Sequence, residues 1–141
     1  TAKFIPQARK TGVTISAEVP KGLPLVQGDI GMIERVMQNL IENAISYTPS
    51  GGKVTVVVEQ VNGKVKTTVE DTGVGIPEKD LPFIFDRFYQ ARTGEKKSGG
   101  AGLGLAIARK ILEAHGESID VESRLSKGTK FAFELPAVHR S

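Results

Sequence analysis

Two asparagines four residues apart, Asn39 and Asn43, share one face of a segment with helical apolar spacing. Their amide oxygens point the same way and could reach one ion or one phosphate. Alone, the pair reads as a polar stripe on an exposed helix face. Asp71 ends a β-branched run and shares parity with Val65, Thr67 and Val69, so it continues the face that those residues bury. A carboxylate at the buried end of a strand needs a donor. The exocyclic amine of adenine is such a donor, whereas guanine offers an acceptor at that edge and would set two acceptors face to face. Gly73 and Gly75 follow in Asp71-Thr72-Gly73-Val74-Gly75-Ile76 and let the backbone pass close to a flat base, although an ordinary Asp-Thr-Gly turn has the same residues. A third element, Gly99-Gly100-Ala101-Gly102-Leu103-Gly104-Leu105, opens directly into a helix. Unobstructed amides at a helix N-terminus seat phosphates; a flexible linker explains the glycines but not their alternate spacing before apolar helix residues. The fourth is the polar stretch between Phe88 and Gly99, whose Arg92, Lys96 and Lys97 can close over a polyanion as a mobile lid.

Other nucleotide signatures do not fit. There is no GxxxxGK[ST], and Gly100-Ala101-Gly102 continues through Leu103-Gly104-Leu105 without completing GxGxxG. With no cysteine and only His115 and His139, disulfides and thiolate or zinc centres are excluded, so a metal is expected to be a hard cation on oxygen ligands. A net charge of +3 with one tight basic cluster at Arg92, Lys96 and Lys97, lacking interleaved aromatics, predicts no nucleic-acid partner.

The elements that position these residues follow from periodicity. Val13, Ile15 and Ala17 alternate as an edge strand. From Asp29, a plausible N-cap, Ile30, Ile33, Val36, Met37, Leu40, Ile41 and Ala44 define a helix that stops at Thr48-Pro49-Ser50-Gly51-Gly52. Lys53 to Gln60 and Lys64 to Asp71 form a hairpin across Asn62-Gly63. A short helix is expected near Glu78 to Leu81, a second long one over Leu103 to Ala114, and strands over Ser118 to Ser123 and Thr129 to Leu135, with a frayed tail beyond. At 141 residues, 39% hydrophobic, the chain predicts a single domain over 1–141, in which 1–12 is the tail of a preceding element, 89–100 the lid and 137–141 a frayed end. The fold class is α+β: a two-layer α/β sandwich with a mixed, mostly antiparallel sheet and helices packed on one face. The absence of a long apolar run or of an apolar leader predicts a soluble, cytoplasmic piece.

Taken in order, these elements resemble the catalytic ATP-binding domain of bacterial two-component sensor histidine kinases. Asn39-Leu40-Ile41-Glu42-Asn43-Ala44 with Tyr47-Thr48-Pro49 resembles the N box, Asp71 to Ile76 the G1 box, Phe85-Asp86-Arg87-Phe88-Tyr89 the F box, Gly100 to Leu105 the G2 box, and Lys127-Gly128-Thr129 the closing G3 element. The resemblance covers about Asp29 to Pro136 and implies the Bergerat ATP-binding fold with a mobile ATP lid. It implies ATP and Mg²⁺ as ligands, with Asn43 on the metal and Asn39 near the phosphates. Asp71 would read adenine with Thr129 supporting it, Gly73 and Gly75 would line the base, and Tyr47, Ile76 and Phe88 would also belong to the ATP site. Gly100, Gly102, Leu103, Gly104 and Leu105 would hold phosphates, helped by Arg87, Arg92, Lys96 and Lys97.

Two residues depart from that pattern. Ser46 stands where many relatives carry a cation, and Glu117 where a second glycine is frequent. Asn39 occupies the place from which hydrolysing relatives activate water with a glutamate, and Glu42 points about 100° away from Asn43 on an ideal helix. The γ-phosphoryl group is therefore expected to go to an external nucleophile, a histidine on a dimeric helical domain of the same protein, and onward to a response regulator. Neither His115 nor His139 has the family's acceptor context. The isolated domain is expected to be monomeric, and its parent a homodimer and possible inner-membrane sensor. The alternatives are a serine kinase of the anti-sigma type and a degenerate module that senses nucleotide or docks a partner.

Overall fold

The computed structural model describes residues 12–18, 30–85 and 104–136. The expected N-cap Asp29 and the lid segment lie outside them.

Five strands form one mixed sheet in the order β1-β2-β3-β5-β4, with β1 Thr14–Glu18, β2 Lys53–Val61, β3 Lys64–Asp71, β4 Ile119–Arg124 and β5 Gly128–Pro136. β2 and β3 are joined at Asn62 (φ 48°) and Gly63 (φ 79°), two left-handed residues in succession, as a two-residue hairpin of this twist requires. β3 pairs antiparallel with β5 and β5 with β4. β1 lies parallel to β2, Thr14 opposite Lys53. A parallel neighbour needs a crossover, and the helix α1, Ile30–Ser46, lies between these two strands in the chain.

Register decides which side chains meet the helices. Val56, Val69 and Phe131 form one cross-strand row, and Val54, Asp71 and Thr129 the next. The first row is fully buried beneath α1, whose Val36, Leu40, Ile41, Ala44 and Ile45 face the sheet, and beneath α2, Gly104–Ala114, whose Leu105, Ala108 and Leu112 complete the core. The second row places Asp71 at the end of this apolar face. The opposite face of the sheet carries Thr55, Glu70, Lys130 and Glu122 in register, the alternation expected of a sheet with one wet side.

The helix ends are set locally. Thr48 Oγ1 donates to the Ala44 carbonyl at 2.6 Å, just past the last residue of α1, Ser46, and directly before Pro49. At the end of α2 the amide of Glu117 returns to the Leu112 carbonyl at 2.9 Å. Glu117 does more than alter that turn: its carboxylate meets Lys64 Nζ at 3.2 Å and ties the helix exit to β3. The short helix is a 3-10 segment, Glu78–Phe83, preceded by Pro77 and containing Pro82, which explains why it does not lengthen into an α-helix. β5 runs through Pro136, opposite Lys64, one residue past the expected limit.

Phe85 stacks edge-on against Phe131, ring centroids 6.3 Å apart, and Arg109 of α2 sits 5.5 Å from its centroid. This stack lies at the end of the described stretch 30–85.

Candidate functional site

Asp71 is the one buried charged residue among the described residues, 5% exposed. Its register partners are Val54 and Thr129. The Gly73 amide donates to Asp71 Oδ1 at 2.8 Å, and the Thr129 amide also donates to the carboxylate. Burial pushes the carboxyl up from 3.8 to about 6; the Gly73 and Thr129 amides pull against this, and the neighbouring Glu70 adds to it. An ionised carboxylate has about four acceptor sites, and the two amides occupy two of them, which leaves room for a further donor.

The turn after Asp71 is held from three sides. Thr72 exchanges bonds with Lys53, amide to carbonyl at 3.0 Å and Lys53 amide to Thr72 Oγ1 at 2.9 Å. The Val74 amide donates to the Tyr47 carbonyl at 3.2 Å, joining the turn to the end of α1. On the third side the Ile76 amide donates to Ser123 Oγ at 2.7 Å. A side chain at Gly73 would overlap the Tyr47 carbonyl, and one at Gly75 the Arg124 carbonyl. Both glycines are thus required by the protein's own backbone, a reason additional to passage beside a flat ligand. Ile76 packs into the core at 9% exposure.

Across the fold, Asn39 Nδ2 is buried and has no hydrogen-bond partner among the described residues. An orphaned buried donor is costly and calls for an acceptor such as a phosphoryl oxygen. Gly104 lies against it: a β-carbon there would sit 3.6 Å from Asn39 Cβ. The start of α2 therefore abuts the asparagine face of α1, and Leu105 next to it is core. Asn43 and Tyr47 continue the same side of α1 and its exit, both half-buried. Glu42 accepts from Gln38 Nε2 at 3.1 Å, which holds it on a different face. Among the described residues no group of three His, Asp or Glu gathers, so a divalent cation here would combine the Asn43 oxygen with phosphate and water oxygens.

Arg87, Phe88, Arg92, Lys96, Lys97, Gly100, Gly102 and Leu103 lie outside the described residues. Ser46 is buried at 4%, so no cation projects from that turn. Among the described residues a cation on the asparagine side is Arg35, one helical turn before Asn39, which lines with it, Gly31, Glu34 and Gln38 a cavity of about 330 Å³. Neither Arg35 nor Ser123 is among the site residues expected from the sequence. The first was legible as a residue four before Asn39, the second as sharing parity with Ile119 and Val121.

The profile of the family described as histidine kinase-, DNA gyrase B-, and HSP90-like ATPases matches residues 28–139. The chain belongs to this family. Within it, this ATPase domain is 40% identical over 129 residues to the adaptive-response sensory kinase SasA of Rippkaea orientalis, an alignment covering 91% of this chain and 33% of that protein. The chain thus spans about a third of the length of the curated relatives it matches. The nucleotide-free catalytic domain of histidine kinase ThkA superposes with a TM-score of 0.82 at 35% identity, covering 96% of this chain and 86% of that one. ThkA has also been solved in complex with the response regulator protein TrrA, with a TM-score of 0.78 at 33% identity over 97% of this chain and 38% of the other. Full-length ShkA in complex with AMPPNP matches with a TM-score of 0.84 at 30% identity, over 99% of this chain and 29% of that one. The α+β fold of this ATPase domain is that of histidine kinase catalytic domains, and these comparisons give the serine-kinase and docking-module alternatives no support.

Proposed function

We propose that the chain holds Mg-ATP and presents its γ-phosphoryl group to a histidine on another domain of a sensor kinase. The observation that carries this reading is a buried carboxylate at the end of β3, Asp71, with spare acceptor capacity, together with a buried donor on the helix packed over the sheet, Asn39 Nδ2, that has no partner among the described residues. The two fit opposite ends of one ligand that has an amine at one end and phosphates at the other.

In this reading Asp71 accepts from the adenine amine, Thr129 and the Gly73 amide hold that carboxylate in place, and Tyr47 and Ile76 flank the base. Asn39 donates to a phosphoryl oxygen, and Arg35 faces the same anionic end in place of the cation missing at position 46. When bound, a magnesium ion would neutralise the phosphate oxygens, and Asn43 is the residue that would hold it. Gly104 and Leu105, with the glycines and cations outside the described residues, close the phosphate end. Asn39 cannot take a proton from water and Glu42 is bonded to Gln38, so these residues position and orient but activate no water. The γ-phosphorus breaks its bond to the bridging oxygen as the imidazole nitrogen of the acceptor bonds to it, and ADP leaves.

The acceptor histidine and the dimerisation helices would belong to the same protein, with a response regulator downstream; the resemblance to SasA and ThkA supports this. No described helix is long and apolar enough to cross a membrane, and a cytoplasmic placement of this domain follows from its use of ATP. Given labelled ATP alone, the chain should bind nucleotide without becoming labelled. Added to a separately produced acceptor domain of its parent kinase, it should label that domain's histidine. Label on this chain itself would contradict the assignment.

Protonation gives a second expectation. A carboxyl at about 6 accepts from the amine far more strongly when ionised, so ATP affinity is full above pH 7 and falls as pH drops through 6, by up to about tenfold near pH 5. The empty protein behaves oppositely: because the folded value is raised, this group's ionisation opposes folding above pH 6, and that cost disappears as pH falls toward 4. Calorimetry across this range should show uptake of ATP coupled to release of a proton below pH 6. An affinity independent of pH between 5 and 8 would exclude an ionised Asp71 from the contact.

A further inference from the structure

Ser123 projects from β4 onto the same row as Thr129 and Asp71, and its hydroxyl oxygen is the meeting point of three chain segments. The Ile76 amide donates to it at 2.7 Å, it lies 3.1 Å from the Gly128 carbonyl, and it lies 2.8 Å from Thr129 Oγ1. The hydrogens can be counted. Ser123 has one, an amide can only donate and a carbonyl can only accept. In the one arrangement that makes all three contacts hydrogen bonds at once, the Ile76 hydrogen occupies one lone pair of Ser123 and the serine's own hydrogen goes to Gly128. What remains on Ser123 Oγ is an acceptor position, so across the 2.8 Å contact it is Thr129 that donates.

The consequence lies one residue further in. Thr129 has spent its single hydrogen on Ser123, so toward everything else its hydroxyl presents lone pairs only. Thr129 stands directly opposite Asp71, whose carboxylate is also an acceptor. Two side-chain acceptors are thus presented side by side at the end of the buried row.

We propose that Ser123 is a positioning residue that fixes the Thr129 hydroxyl as an acceptor and thereby doubles the selection for an amino-bearing purine edge over a carbonyl-bearing one. The inference rests on the nucleotide reading above and deepens it. An amino group carries two hydrogens and satisfies both acceptors, directly or through a bridging water. A carbonyl oxygen at the same position meets two acceptors and has nothing to offer either. Without Ser123, the Thr129 hydroxyl is free to rotate and donate, and the carbonyl edge finds one partner.

The test compares Mg-ATP with Mg-ITP, whose base carries a carbonyl in place of the amine, by competition against a fluorescent nucleotide. In the parent protein ATP should be strongly preferred. Ser123→Ala should weaken ATP and improve ITP relative to it, so that the ATP-to-ITP preference falls by about tenfold. Ser123→Thr, which keeps the hydroxyl, should restore the preference. A merely structural role would weaken both nucleotides equally, so an unchanged ratio in Ser123→Ala overturns the inference while leaving ATP binding intact as a reading. Should Ser123→Ala not fold, Thr129→Val removes the hydroxyl that Ser123 orients, and its ratio should fall likewise; an unchanged ratio there is equally fatal. A parent protein that binds neither nucleotide overturns the nucleotide reading and this inference with it.

Discussion

Asp71→Asn should abolish detectable ATP binding and at the same time raise the melting temperature of the empty protein. The two halves have one cause. The carboxylate is buried and its carboxyl is held at about 6 rather than 3.8, so keeping it charged at neutral pH costs the empty fold on the order of 2–3 kcal/mol. An amide removes that cost. It keeps one acceptor oxygen for the Gly73 or Thr129 amide, but it turns an NH₂ group toward the other, which returns part of the gain. A net stabilisation of roughly 1–2 kcal/mol, several degrees in melting temperature, is the expected balance. Toward the ligand the same NH₂ faces the adenine amine, donor against donor, and an unpaired buried group of this kind weakens binding by about a hundredfold or more. Thermal melts and calorimetry on the same preparation check both. A variant that loses ATP and also melts earlier has lost its structure, and the adenine contact would then need independent support.

The second large effect separates backbone conformation from contact. Gly75 and Gly63 share nearly the same left-handed backbone, φ 77° and 79°. At Gly63 an added β-carbon meets nothing within 4 Å, whereas at Gly75 it overlaps the Arg124 carbonyl and sits 2.9 Å from Leu125 Cα. Gly63→Ala should therefore cost only the left-handed penalty, about 1 kcal/mol. Gly75→Ala should cost that and a displacement of the β4–β5 turn against the Asp71 loop, roughly 3–5 kcal/mol in all, enough to leave the domain largely unfolded at 37 °C. Equal losses in the two variants, measured by denaturant unfolding, would show that the turn yields without strain.

Much of this arrangement can be read from the sequence because it depends on period. Parity alone places Asp71 on the buried face with Val69, and helical spacing alone stacks Asn39 under Asn43. Asn62-Gly63 announces the hairpin because few residue pairs accept two left-handed conformations. What period cannot supply is the partner. Alternation identifies β1 as a strand but not its parallel pairing with β2, which depends on how α1 crosses over. The glycines at 73 and 75 suggest a passing ligand, yet the atoms that exclude a side chain there are the carbonyls of Tyr47 and Arg124, distant in the chain. Ser123 shows the same limit: its parity points it inward, but three bonds to Ile76, Gly128 and Thr129 arise only when the turns are brought together. Glu117 reads as a substitution in a turn and is in the fold an ion-pair partner of Lys64.

The central claim is settled most directly by a structure of the protein crystallised with Mg²⁺ and a non-hydrolysable ATP analogue. The account predicts the exocyclic nitrogen of the base within hydrogen-bond distance of the Asp71 carboxylate, with the Asn39 side-chain amide directed at a phosphoryl oxygen. A base bound away from Asp71, or Asn39 Nδ2 still without a partner in the liganded protein, would contradict it.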